Sequence, residues 1–186
     1  MKEQQLYFIA IMLPQKVDEE VVQFKNDIAQ RFQSRKALRT ASHITLKAPF
    51  KISTEARGQL LQWFNEMHIA VAPFMQAIKD FGAFNNRRNP VMYVQPIMNS
   101  SLQQLQQEVL RQFGAAFPKQ SISKNEYHFS PHITIGYHDL QPRFFNEAWK
   151  EYSIKQYDAS FEVNSFQLLQ HTDSRWKVVS SFLLNH

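Results

Sequence analysis

His43-Ile44-Thr45-Leu46 and His132-Ile133-Thr134-Ile135 are two copies of one pattern, His-x-Thr-aliphatic, set 89 residues apart in a chain of 186. In an extended strand successive side chains point to opposite faces. Each tetrapeptide therefore presents His and Thr on one face and two aliphatics on the other. One such tetrapeptide is what many strands with a wet side look like; two in matching surroundings are not. Before the first copy, the apolar run at residues 6–13 reads as a strand covered on both faces and is stopped by Pro14. Val17, Val21, Phe24, Ile28 and Phe32 then recur at three- to four-residue spacing behind Asp18-Glu19-Glu20, which predicts a helix over about 17–34. Leu60, Leu61, Phe64 and Met67 form a second helical stripe, with Ser53 or Thr54 as its cap. Strands are expected at about 73–84 and 90–97, joined by the turn-rich Asn85-Asn86-Arg87-Arg88-Asn89-Pro90.

From Val91 the order starts again. A strand runs into a helix carrying Leu102, Leu105, Val109, Leu110 and Phe113, with Asn99-Ser100-Ser101 as its cap, and then into the second His-x-Thr segment. A further helix begins near Pro142, and a hairpin of about 158–170 and 175–184, turning at Thr172-Asp173-Ser174, closes the chain. The reading is an α+β fold: a duplicated strand-helix-strand-helix-strand repeat forming two lobes with pseudo-twofold symmetry around a central cleft. No Pro/Gly/Ser linker divides the halves, about 1–89 and 90–186, so residues 1–186 are expected to form a single bilobal domain.

Composition narrows the function. The chain is 44% hydrophobic and 20% charged, which suits one well-buried core. It has no cysteine, which excludes disulfides, thiolate nucleophiles, zinc-thiolate sites and iron-sulfur clusters. The eight-residue run at 6–13 falls short of the roughly 18 needed to cross a bilayer. Glu3 before it, and Pro14 and Asp18-Glu19-Glu20 after it, do not suit a secretory signal. A cytoplasmic protein is expected. The net charge of +5 tilts towards anionic partners.

If the halves pack about a pseudo-twofold axis, both polar faces line one cleft, with His43 and His132 on opposite sides of a bound group. That arrangement suits in-line displacement at phosphorus. One neutral imidazole takes a proton from the nucleophile, while a protonated one supplies a proton to the leaving oxygen. The Thr45 and Thr134 hydroxyls can donate to the non-bridging oxygens, where charge accumulates. The scheme needs no metal, and no His/Asp/Glu cluster with ligand spacing is apparent.

At this point the chain resembles the 2H phosphoesterase superfamily, which includes the 2'-5' RNA ligase-like RNA 2',3'-cyclic phosphodiesterases. The likeness rests on Phe8-Ile9-Ala10-Ile11 as opening strand and on His43-Ile44-Thr45-Leu46-Lys47 as first motif. It extends to the turn region from Phe81-Gly82 to Val91 and to Phe129-Ser130-Pro131-His132-Ile133-Thr134-Ile135 as second motif. The resemblance implies His43, Thr45, His132 and Thr134 as catalytic residues, with His132 activating water and His43 protonating the leaving ribose oxygen. It implies hydrolysis of a 2',3'-cyclic phosphate or related 2'-linked phosphoester, with 2'-5' RNA ligation or non-catalytic RNA or nucleotide binding as rivals. The expected partner is an RNA end or cyclic nucleotide, handled by a monomer without cofactor or membrane.

One departure stands out. Ligase-like members usually carry Arg three residues after the second motif's Thr, where this chain has Tyr137. Lys47, Arg87, Arg88, Lys119 and Lys124 are the substitutes considered for that cation. Lys47 is placed by strand parity on the face of His43 and Thr45. Arg87-Arg88 are placed in a turn that could guide an RNA backbone, and Phe84 and Tyr93 at a cleft mouth where a base could stack. His138 shares the parity of His132 but follows Gly136 and is read as a surface residue. His68, His128, His171 and His186 have no paired motif and receive no role.

Overall fold

Alternating strands and amphipathic helices build two antiparallel four-stranded sheets in a computed structural model that describes residues 3–185. The strands are β1 (Gln4–Met12), β2 (His43–Ser53), β3 (Phe74–Phe84), β4 (Val91–Pro96), β5 (Ile133–Gly136), β6 (Asp158–Val163), β7 (Ser165–Thr172) and β8 (Arg175–Leu183). The helices are α1 (Gln15–Arg31), α2 (Arg57–Asn65), α3 (Ser100–Ala116), the single turn α4 (Lys124–Tyr127) and α5 (Pro142–Tyr152). His186 lies outside the described residues.

One sheet has the order β2-β1-β7-β8 and the other β5-β4-β3-β6. The pseudo-twofold pairs β1 with β4 and β2 with β5, as the duplicated motif requires. The sheets do not follow the sequence halves 1–89 and 90–186, however. The ends of the chain build one sheet and the middle builds the other. The expected strand at 158–170 is accordingly two strands, one in each sheet, with the chain crossing over at Asn164. The helices cross as well: α1, which follows β1, lies against β5, while α3, which follows β4, lies against β2. Each motif strand is thus backed by a helix from the other repeat. Gly136 sits where α1 meets β5, and a Cβ there would press on Ile28 at 3.1 Å. One continuous core takes Ile9 and Ile11 from β1, Ile78 from β3, Val94 from β4, Ile133 and Ile135 from β5 and Phe166 from β7.

Local signals act as physics requires at the starts of α3 and α5. Asn99 caps α3, its side chain accepting from the Leu102 N–H at 2.8 Å. Pro142 opens α5, where its missing N–H is no loss. Before α2 the expectation fails. A 3₁₀ turn at Thr54–Ala56 intervenes, and the Thr54 hydroxyl donates instead to the Glu3 carbonyl at 3.1 Å.

Strand parity also fails for Lys47. Opposite β1, Thr45 pairs with Ala10 and Lys47 with Ile9, so Leu46 is an extra residue in β2. This bulge turns Lys47 out of the face of His43 and Thr45, and Leu46 and Lys47 are consecutively buried, each 1% exposed. Inside, Lys47 Nζ bridges to Glu126 Oε1 at 2.9 Å and lies over the Phe113 ring. Glu126 Oε1 also accepts the Ala48 N–H at 2.9 Å, while Oε2 accepts that of Ser123 at 2.8 Å. These bonds hold the Glu126 carboxyl below the usual range against the opposing effect of burial. The carboxylate thereby pins α4, and the approach to the second motif, to β2. Removing one partner strands a buried charge, so Lys47→Met should destabilise the fold by about 3 kcal/mol, a fall in melting temperature of roughly 6–12 °C. Lys47→Met/Glu126→Gln should lose less than the two single changes summed. Because the folded-state pKa of Glu126 is depressed, its contribution is present above the unfolded value of 4.5 and is lost as pH falls through the folded one. Thermal melts of the three variants between pH 7 and pH 3 check this; an unchanged melting temperature in Lys47→Met at pH 7 contradicts it.

Candidate active site

β2 opens at His43 and β5 immediately after His132, so both imidazoles stand at strand entrances, where they are half-buried. Each is held in the same way. The Nδ1–H of His43 donates to the Ala41 carbonyl at 2.8 Å, and that of His132 to the Ser130 carbonyl at 2.8 Å. A carbonyl can only accept, so Nδ1 carries the proton and Nε2 is left with its lone pair. Aromatic rings fix the planes. His43 packs on Phe8 at 4.9 Å, itself edge-on to Trp176 at 4.5 Å. His132 packs on Phe84 at 5.1 Å and Tyr93 at 5.7 Å. Gly82 makes the second arrangement possible, because a Cβ there would overlap the Tyr93 ring.

A cavity of about 260 Å³ is lined by His43, Thr45, Thr134 and Tyr137, with Lys25, His138 and Trp176 also in its wall. The two threonines of the duplicated motif therefore meet in one space. His132 lies just outside the wall through its strand neighbour Thr134, close enough that its charge would disfavour protonation of His43. Burial pushes both imidazoles down. His43 falls to about 4, chiefly by desolvation, with Lys25 and His132 adding to the fall and the Ala41 hydrogen bond and Asp18 opposing it. His132 is lowered by desolvation, opposed by its bond to Ser130. Both shifts favour the neutral ring at pH 7.

The remaining expected residues divide. Phe84 and Tyr93 are not in the cavity wall; they position the His132 ring. Arg87 and Arg88 are exposed in the β3–β4 loop, and Lys119 and Lys124 are exposed away from the cavity. Tyr137, standing where an Arg was expected, does line the cavity, with its hydroxyl kept protonated by burial and by Asp139. His138 is exposed, as the surface reading expects, and also lines the cavity. The chain turns there with a positive φ of 56°, and the next residue ties the exit of β5 to the end of α1. Asp139 accepts from the Ser34 hydroxyl at 2.7 Å and the Arg35 N–H at 2.8 Å.

Among the wall residues that sequence reasoning did not place in the site, Trp176 and Lys25 are the two with chemistry to offer. Trp176 arrives from β8 by long-range pairing and has no local signal. Lys25 had one: it lies four residues after Val21 and three before Ile28, in the middle of an apolar helical stripe. Among the described residues no three His, Asp or Glu side chains gather as metal ligands, and no helix is long and apolar enough to cross a membrane.

A model of the 2'-5' RNA ligase superfamily matches residues 13–175. The chain belongs to that superfamily. A relative from Geobacillus kaustophilus named "Putative phosphoesterase" is 28% identical over 96% of this chain and 95% of its own. A protein of the same name from Geobacillus thermodenitrificans is 28% identical over 87% and 88%. Among solved structures, E. coli LigT complexed with 3'-AMP superposes with a TM-score of 0.71 at 19% identity, covering 99% of this chain and 100% of that one. TT0787 of Thermus thermophilus does so with 0.63 at 16% identity, over 97% of each. The two-lobed α+β architecture is thus that of the LigT-like superfamily members, and the duplicated motif sits at the entrances of equivalent strands.

The site makes a spectroscopic prediction. With Nδ1 protonated and Nε2 bare, nitrogen-proton correlation spectra at pH 7 should show the Nδ1–H tautomer for both residues. Their C2–H resonances should titrate near pH 4 for His43 and below 6.5 for His132. A ring titrating above 6.5 in the ligand-free protein contradicts the burial argument.

Proposed function

We propose that this chain is a metal-independent phosphoesterase that hydrolyses a 2',3'-cyclic phosphate, or a related 2'-linked phosphoester, at an RNA end or on a nucleotide. The observation that carries the reading is the mirrored pair: two imidazoles, each with Nδ1 bound to the carbonyl two residues upstream, beside a cavity that both motif threonines line. A binding module needs no matched acid and base. The phosphoesterase names of the relatives and the 3'-AMP held by the E. coli neighbour support the same substrate chemistry.

In the proposed reaction the Nε2 of one histidine takes a proton from water as its oxygen bonds to phosphorus. The other histidine delivers a proton to the ribose oxygen as the P–O bond breaks, and the Thr45 and Thr134 hydroxyls donate to the non-bridging oxygens. The resemblance assigns His132 as base and His43 as acid. An anionic phosphoester beside the rings favours the protonated form that an acid needs. The charge of Lys25, which disfavours a protonated His43, supports the opposite assignment. A nitrophenyl phosphodiester separates the two, because its leaving group needs little protonation. It should restore turnover to the variant lacking the acid, His43→Ala under the first assignment and His132→Ala under the second. Rescue of neither variant contradicts general acid catalysis by a histidine.

His43→Ala and His132→Ala should each slow turnover of a 2',3'-cyclic nucleotide by at least about 10²-fold with little change in melting temperature. Thr45→Val and Thr134→Val should slow it by less. Wild-type turnover in a folded histidine variant contradicts the reading. Activity should survive exhaustive chelation; loss with EDTA and recovery with zinc or manganese contradicts metal independence. Reversible 2'-5' ligation by the same groups is the rival reading, and product analysis on oligonucleotides with cyclic-phosphate ends against 2'-5' linked ones distinguishes it.

A further inference from the structure

Lys25 is 2% exposed and stands on the apolar stripe of α1, yet it lines the cavity with His43, Thr45 and Thr134. Its ammonium has three N–H donors and makes one hydrogen bond, to the Thr40 carbonyl at 2.9 Å. Among the described residues no carboxylate is within ion-pair distance of it. Asp18, on the same helix, acts on it from further away, and its Oδ1 is occupied by the Ser42 N–H at 2.9 Å. The other buried lysine, Lys47, is closed off by Glu126. A second polar group in the same wall is also incomplete: among the described residues the buried Ser42 hydroxyl has no partner. A buried cation lacking a counter-ion is costly to keep, and an anion entering the cavity would offset that cost.

We infer that Lys25 is the cation that binds the phosphoryl group of the substrate. The inference rests on the cavity being a phosphoester site. It gives the α1–β5 packing a functional meaning, since that packing carries a helix of one repeat to the motif strand of the other. It also accounts for the electrostatics. Burial holds the ammonium down at about 8, with Asp18 opposing. Facing it across the cavity are His43 from β2, which it disfavours as a cation, and Tyr137 and His138 after β5, while His132 lies just outside the wall. An anion between Lys25 and His43 replaces their repulsion with attraction to both, so the ligand itself loads His43 with its proton.

The test is Lys25→Met, which keeps the apolar stem in an apolar stripe and removes the charge. Calorimetric titration with inorganic phosphate at pH 7 should show affinity at least about tenfold weaker than wild type, the scale of one charge-assisted hydrogen bond. KM for a 2',3'-cyclic nucleotide should rise in parallel, and His43 in the ligand-free variant should titrate above its wild-type value. Melting temperature should not fall. Wild-type phosphate affinity in the folded variant overturns the inference, as does a lowered melting temperature with unchanged KM, the mark of a merely structural lysine. In the wild-type protein, saturating phosphate should also shift the Lys25 Nζ resonance, and its failure to move overturns the inference without any variant. If the wild type turns over cyclic phosphates and Lys25→Met binds phosphate equally well, only the role of Lys25 falls. If the wild type neither binds phosphate nor turns over, the phosphoester reading falls with it.

Discussion

Each imidazole donates its Nδ1–H to the carbonyl two residues upstream, and the arrangement of the site depends on that bond. It fixes the tautomer, leaves Nε2 as the basic nitrogen and lets a half-buried ring remain neutral without an unsatisfied N–H. Much of the surrounding fold keeps the two bonds equivalent. The two sheets place β2 and β5 in corresponding outer positions, and rings from neighbouring strands cover both histidines. On one side Gly82 has no side chain because the Tyr93 ring occupies that space. The symmetry is in backbone and anchoring; the charges around the two rings differ.

That difference comes from the exchanged helices. α1 brings Lys25 to the His43 side of the cavity, and the corresponding helix, α3, brings Gln106 to the far side of β2, where its amide donates to the Glu126 carbonyl. Two rings with the same backbone anchor therefore differ in how readily they take a proton. This is the physical ground on which an acid and a base can be told apart in a duplicated fold. The second buried lysine has the opposite fate: the Leu46 bulge turns Lys47 into a closed ion pair that joins α4 to β2.

What the sequence made legible was short-range. The apolar run before Pro14, the stripe of α1, the Asn99 cap and the Pro142 start each act within a turn or two, and the structure keeps them. The motif faces of His43, Thr45, His132 and Thr134 follow from parity over three residues. Parity carried further breaks at Leu46, because one extra residue in a strand is invisible until its partner is known, and Lys47 was misplaced for that reason. The crossing at Asn164 was readable and missed: buried positions pass from Phe161 and Val163 to Phe166 and Leu168, a change of parity at the point where the chain changes sheets. Trp176 was beyond reach, since only the β1-β7-β8 pairing brings it to Phe8. The lysine inside the α1 stripe was a local conflict between pattern and residue type, the kind of conflict that marks functional positions.

The central claim, that two imidazoles flank one phosphoryl group, is tested most directly by a crystal structure with a nucleoside vanadate, whose trigonal bipyramid mimics in-line displacement. The account predicts one apical oxygen within about 3 Å of the Nε2 of His43 and the other within the same distance of that of His132, with Thr45 and Thr134 on equatorial oxygens. Vanadate bound with both histidines on one side, or seated away from either, would contradict it.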